Sequence, residues 1–209
     1  MNLTIALAKG RLLPEAVKLL ARAGVLPAED LAKTRQLVVD ATDGAKLLIL
    51  KDPDVPVYVE RGVADLGIVG VDHIRESGCD VLEPLDLALG RCRLSLCAPG
   101  PKERPLEALP GRALRVATKY PALATKLLAT KGLGIEVLRL QGSVELAPVV
   151  GLADAIVDLV ETGRTLAENG LTERERLLDV SGRLIANRAS WRLKMPAVQA
   201  LIAAFGDPS

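Results

Sequence analysis

The segment Asp154-Ala155-Ile156-Val157-Asp158-Leu159-Val160-Glu161-Thr162-Gly163-Arg164-Thr165 places two carboxylates in a run that is otherwise apolar. A buried parallel strand is normally a continuous apolar run, and strand residues four apart point to the same face. Desolvating two carboxylates is costly unless partners satisfy them, so Asp154 and Asp158 are expected at strand ends facing a cleft. Directly afterwards, Glu161 to Thr165 offer a tight turn, two hydroxyls, a guanidinium and the backbone N–H groups that open a helix. Together these make a cradle suited to phosphate. Acids for diol hydroxyls beside a phosphate cradle describe a ribose 5-phosphate site. The competing reading is a strand ending in an ordinary Thr-Gly turn with a Thr or Glu cap, and spacing alone leaves the two level.

A second segment, Leu7-Ala8-Lys9-Gly10-Arg11-Leu12, reads as a strand passing through glycine into a helix start. Glycine permits close backbone approach, and Lys9 and Arg11 bring positive charge to that mouth. Ligands of open α/β folds bind at such carboxyl ends of strands. Several stronger signatures are absent. The chain has no Gly-x4-Gly-Lys-Ser/Thr loop, no Gly-x-Gly-x-x-Gly after a strand, and no Gly-x-Ser-x-Gly elbow. With one histidine there is no His-Glu-x-x-His zinc site, and Cys79, Cys92 and Cys97 lack zinc spacing. His73 beside Asp72 offers a proton shuttle, although a surface or helix-start histidine is the plainer reading.

The elements that must position these groups alternate between short apolar runs and longer amphipathic ones, an α/β pattern. Strands are expected at Leu3–Ala8, Leu37–Val39, Leu47–Leu50, Asp65–Val69, Arg91–Cys97, Ala113–Thr118, Ile135–Leu138 and Asp154–Val160. Helices are expected at Leu12–Ala23, Asp54–Arg61 and Pro121–Lys131, after Thr162, and at Trp191–Phe205 with Ser190 as N-cap. Thr172 to Ser181 reads as a polar connection. The Pro- and Gly-rich stretch Ala98–Gly111 reads as a linker or a loop.

At 209 residues the chain is long enough to bury a sizeable core. Its 27 Lys and Arg against 26 Asp and Glu leave no basic footprint for duplex nucleic acid, and four aromatics make no stacking platform for single strands. An odd number of cysteines argues against a secreted disulfide framework, and the three read as small buried hydrophobes. No run approaches the ~18 apolar residues that span a bilayer, and Leu3–Ala8 is too short for a signal-peptide core. The chain reads as a cytoplasmic protein that engages neither nucleic acid nor membrane.

Two further segments complete a family pattern. One is Lys51-Asp-Pro-Asp-Val-Pro-Val-Tyr-Val-Glu-Arg-Gly-Val-Ala-Asp65-Leu-Gly-Ile-Val-Gly70-Val-Asp72. The other, Gly142-Ser-Val-Glu145-Leu-Ala-Pro, runs on into the acidic strand at Asp154. With the Ala-Lys-Gly-Arg-Leu opening and the Asn169-Gly170-Leu171 ending, the chain resembles ATP phosphoribosyltransferases over essentially its whole length. At Lys51 some relatives carry Arg, which keeps the charge and changes its geometry. The resemblance implies transfer of the phosphoribosyl group of phosphoribosyl pyrophosphate to N1 of ATP, releasing pyrophosphate in the first step of histidine biosynthesis. It implies a bilobal α/β fold like type II periplasmic binding proteins, with the active site in the cleft between the lobes. One lobe would be residues 1–90 plus 179–209 and the other, binding phosphoribosyl pyrophosphate, residues 91–178, with no C-terminal regulatory domain.

By the same resemblance, Asp154 and Asp158 with Lys9 and Arg11 are the catalytic candidates. Glu145, Asp154, Ala155, Asp158, Glu161, Thr162, Gly163, Arg164 and Thr165 would bind phosphoribosyl pyrophosphate. Lys9, Gly10, Arg11, Leu12 and Lys51 would face ATP or pyrophosphate. Mg2+ would arrive mainly with the substrates, its protein ligands unassigned. The chain ends soon after its last expected helix, as in the short form of the family. That form is expected to work as homodimers within a hetero-oligomer, with a regulatory subunit resembling histidyl-tRNA synthetase. A small-molecule binding protein of the same bilobal fold is the alternative, but a signal peptide or an attached DNA-binding helix pair would be expected with it. An unrelated phosphoribosyltransferase would commonly carry its acids side by side, unlike Asp154 and Asp158.

Overall fold

The computed structural model describes residues 2–31, 33–102, 113–130, 132 and 134–206. The chain divides into two compact units, Met1–Arg91 with Ser181–Ser209, and Cys92–Val180.

In the first unit, β1 (Thr4–Ala8) leads into α1 (Leu13–Arg22), and β2 (Val38–Asp40) into β3 (Lys46–Leu50). Then follow α2 (Val55–Glu60), β4 (Leu66–Gly70) and α3 (Val71–Ser77). The long strand β5 (Leu82–Pro99) passes into the second unit. There lie β6 (Leu114–Thr118), α4 (Pro121–Ala129), β7 (Ile135–Arg139), α5 (Leu146–Val149), β8 (Ala155–Val160) and α6 (Arg164–Glu168). Strand β9 (Leu171–Ala186) returns to the first unit, which ends with α7 (Arg188–Leu193) and α8 (Met195–Phe205).

The first unit's strands run in the order β2-β3-β1-β4-β9. β1 is parallel to β3 and β4, while β2 and β9 are antiparallel edges of that parallel set. Alternation along β1 builds a core on each face. Ile5 and Leu7 pack with Leu20 of α1 and with Val198 and Leu201 of α8. Ala6 and Ala8 face Val55 and Val59 of α2 and Ile74 of α3. Gly67 lets α2 lie close, because a Cβ there would come within 2.9 Å of both Val55 and Val59. In the second unit β8 pairs antiparallel with β5 and parallel with β6, which is parallel to β7. Ile156 and Val160 of β8 pack with Cys97, Ala117, Ala147 and Leu166.

Three expectations change. Thr172–Ser181 is not a polar connection but part of β9. Among its charges, Glu173 makes a half-buried ion pair with Arg93 of β5, while Arg176 and Asp179 pair on the exposed side. The strand expected from Arg91 begins instead at Leu82, because positive φ at Ala88 (55°) and Gly90 (50°) interrupts the pattern without ending the ladder. The last helix is two. Asn187, not Ser190, caps α7, its Oδ1 accepting from Ala189 N at 2.9 Å and Ser190 N at 3.0 Å. Pro196, with no N–H to donate, sits in the first turn of α8 and separates it from α7. The Ser190 hydroxyl instead donates to buried Asp65 at 2.6 Å. Sequence reasoning also passed over α3 and α5. Of the cysteines, Cys97 is buried while Cys79 and Cys92 are half-buried. Residues 103–111 of the expected linker, and Lys131, lie outside the described residues.

Candidate active site

Strand β8 explains how one acid enters an apolar run. Asp158 is 8 % exposed and stands opposite Ser95 of β5. Its Oδ1 accepts the Leu159 N–H at 2.8 Å. Burial pushes its carboxyl above the ordinary value, and nearby Glu145 adds to that. The Lys119 ammonium and the Leu159 N–H pull the other way. Lys119 follows β6, the parallel neighbour of β8, so the strand-end rule that pointed to Lys9 would also have found it.

After Val160 the chain turns through Glu161, Thr162 and Gly163, the last at φ 81°, into α6. The Thr162 hydroxyl accepts the Arg164 N–H at 3.4 Å, and Asn169 Nδ2 donates to the Thr165 carbonyl at 2.8 Å. These residues open onto a pocket of about 250 Å3. It is lined by Glu145, Asp158, Glu161, Thr162, Gly163, Arg164 and Thr165, with apolar flanks from Leu159, Val160 and Leu166. Arg164 is exposed beside Glu168, at 3.5 Å.

Asp154 and Ala155 do not line this pocket. Asp154 precedes β8 and accepts from Arg115 of β6, through the backbone N–H at 2.9 Å and the guanidinium at 3.3 Å. Its own N–H donates to the Arg115 carbonyl. Ala155 is fully buried, the first residue of β8. The two acids that the pattern put on one face therefore have different settings, one in the pocket and one bound to the neighbouring strand.

In the first unit, Ala8 and Leu50 are register partners at the carboxyl ends of β1 and β3. Exposed Lys9 and Lys51 follow them side by side. Gly10, at φ 154°, has the Asp52 carboxylate 3.5 Å from where its Cβ would lie. Arg11 donates to the Gly90 carbonyl at 2.9 Å. Leu12 is buried against Gly90 and Gly182 and serves as packing. Burial raises the Asp52 carboxyl, against the opposing charges of His73 and Arg11, and Asp72 adds to the rise. His73 is half-buried, 3.5 Å from the Asp72 carboxylate. The sequence showed His73 beside Asp72 but not Asp52 with them, because Asp52 follows β3 while Asp72 and His73 open α3 after β4.

A sequence model of the ATP phosphoribosyltransferase family (HisG) matches residues 51–206. The chain belongs to that family. An ATP phosphoribosyltransferase of Methylococcus capsulatus is 50% identical over 194 residues, covering 92% of this chain and 89% of that one. One from Neisseria meningitidis serogroup B is 43% identical over 206 residues, covering 98% and 95%. Among solved structures, the ATP phosphoribosyl transferase (HisG:HisZ) complex from Thermotoga maritima has a chain that superposes with a TM-score of 0.84. It shares 30% identity and covers 97% of this chain and 95% of its own. The fold is α/β with two lobes, of the type II periplasmic-binding-protein kind. ATP phosphoribosyltransferase is a pentosyl transferase. It moves the phosphoribosyl group of phosphoribosyl pyrophosphate to N1 of ATP, giving N1-(5-phosphoribosyl)-ATP and pyrophosphate in the first step of histidine biosynthesis. The binding-protein alternative is set aside. No helix among the described residues is long and apolar enough to cross a membrane.

Proposed function

We propose that the pocket after β8 is where this chain holds the phosphoribosyl group during the transfer. The observation that carries this reading is the convergence of Asp158, Glu145 and the Thr162–Thr165 turn on one cavity. Thr162 and Thr165 offer hydroxyls, the turn offers N–H groups and Arg164 a cation, a set that suits a 5-phosphate. Departure of pyrophosphate leaves positive charge at the anomeric carbon. A carboxylate held in a desolvated setting stabilises such charge more strongly than one in water. Asp158 fits that role, with Glu145 beside it for the ribose hydroxyls. Neutral adenine N1 brings its own lone pair, so the attack needs no strong general base, and positioning and electrostatics carry the catalysis.

Lys9, Arg11 and Lys51 are assigned to phosphates of ATP or pyrophosphate. Lys9 and Lys51 are paired by strand register, and Arg11 is aimed by Gly90. The described residues hold no group of three or more metal-ligating side chains. Mg2+ brought by substrate keeps several waters and takes one or two carboxylates plus phosphates. Glu145 and Asp158 are the carboxylates that would reach it, and the ion would neutralise charge on the departing pyrophosphate. The likeness to the Thermotoga maritima complex supports a HisZ-like regulatory partner for this chain, in a hetero-oligomer built on homodimers. A biosynthetic role supports the cytoplasm as its location.

Thr165→Val tests the phosphate assignment. The KM for phosphoribosyl pyrophosphate should rise at least tenfold while that for ATP changes less than twofold. Equal effects on both substrates would overturn it.

A further inference from the structure

The turn that ends β8 is held from outside the pocket. Arg93 of β5 stands opposite Val160, one residue before the turn. Its Nη1 donates to the Glu161 carbonyl at 3.0 Å. Its Nε and Nη2 donate to the two oxygens of Glu173, on β9, at 2.7 and 2.6 Å. The Ser95 hydroxyl donates to Glu173 Oε1 at 2.7 Å. One guanidinium thus uses one edge on a carboxylate fork and its remaining nitrogen on a single backbone carbonyl.

We propose that Arg93, clamped by Glu173, is a positioning residue that sets the orientation of the phosphate-holding turn. This rests on the assignment of Thr162–Thr165 to the 5-phosphate. The Glu161 carbonyl and the Thr162 N–H belong to one trans peptide plane and point in opposite directions. Fixing the carbonyl on Arg93 fixes the Thr162 N–H on the far side, at the start of the turn that lines the pocket. Glu173 keeps the guanidinium from rotating away, because a bidentate pair fixes its plane as well as its place. Ser95 in turn fixes Glu173, and Ser95 is the residue opposite Asp158, so the support runs along the carboxyl end of β8 from Asp158 to the turn. A lysine at 93 would keep the charge but has no planar fork with which to hold a carboxylate and a carbonyl in fixed directions.

The test compares Arg93→Lys and Glu173→Gln with Thr165→Val in the full chain under the same assay. Arg93→Lys should raise the KM for phosphoribosyl pyrophosphate at least fivefold with the KM for ATP within twofold. Hydrogen exchange of the Thr162–Thr165 amides should quicken at least tenfold. Glu173→Gln should move both readouts in the same direction by a smaller factor, and serves if Arg93→Lys does not fold. If Thr165→Val raises that KM but neither Arg93→Lys nor Glu173→Gln does, the positioning role is wrong and the phosphate assignment stands. If Thr165→Val leaves it unchanged, the phosphate assignment fails, and the amide exchange alone decides whether Arg93 holds the turn. Wild-type exchange in Arg93→Lys would overturn the proposal, as would an Arg93→Lys enzyme indistinguishable from wild type.

Discussion

Burial works against the charge on Asp158, and the pull of Lys119 and of the Leu159 N–H does not outweigh it. A carboxyl whose folded pKa is raised makes the charged protein less stable than it would be with a neutral side chain there. Asp158→Asn should therefore leave the melting temperature unchanged or higher. The same change should lower kcat/KM at least tenfold, or about 1.4 kcal/mol of transition-state stabilisation. A stability loss with activity intact would assign Asp158 to the framework. The sequence disclosed Asp158 because a charge stood in an apolar strand. It disclosed Asp154 by the same rule, yet the two settings differ, since spacing reports a face and not the partner waiting on the next strand. Arg93 and Glu173 stayed hidden for a related reason. Each acts on the site across the sheet, from 39 to 78 residues away for the hydrogen-bonded links at Asp154 and Ser95, and one sequence carries no register.

Strand β8 is entered through a reciprocal clasp. Asp154 N–H bonds the Arg115 carbonyl, while Arg115 N–H and guanidinium bond the Asp154 carboxylate. Hydrogen bonds to a charged group contribute about 1.5–3 kcal/mol. Asp154→Ala should thus lower stability by about 2 kcal/mol in denaturant unfolding and loosen the β6–β8 pairing. A variant as stable as wild type would show that solvent replaces the clasp at no cost. Most elements were legible because apolar runs and Gly or Pro stops mark them plainly. The exceptions have physical causes. The β9 segment hides behind charges that its neighbours neutralise, and α7 and α8 fuse in the sequence because nothing in an apolar period marks a break except Pro196. Asn187 combines the cap of α7 with Nδ2 hydrogen bonds to the Val59 and Glu60 carbonyls at the end of α2, a tertiary duty that no local pattern announces.

Acid stability follows from the carboxyls taken together. Burial would raise Asp65, but the hydrogen bonds of Lys194, Ser190 and Thr4 outweigh it and hold the carboxyl below its ordinary value. Asp86 is likewise lowered, burial being outweighed by Ala88, Ser181 and Arg183. Glu173 is lowered by Arg93. These contributions are complete above the ordinary values of 3.8 for Asp and 4.5 for Glu, and are lost as pH falls through the depressed folded ones. Asp158 and Asp52 have the opposite sign, so their cost fades as pH falls from their raised values toward 3.8. The melting temperature should peak on the acid side of neutrality and then drop steeply below about pH 4. A peak at neutral or alkaline pH would contradict that balance. If regulation resides in a HisZ-like partner, allostery requires its site to be there. Calorimetric titration of the chain alone with histidine should then show no saturable binding, and tight binding that lowers activity would place the sensor on this chain. The arrangement of the units also has a consequence for synthesis. Strand β4 is complete at Gly70, but its antiparallel partner in β9 begins only at Gly182. At the usual ~5–20 residues per second, the ribosome needs roughly 6–20 s to bridge that gap. Throughout that interval the contiguous second unit can emerge whole while β4 waits with one edge bare. The nascent first unit therefore presents a strand edge open to wrong pairing until the chain has been made past Gly182.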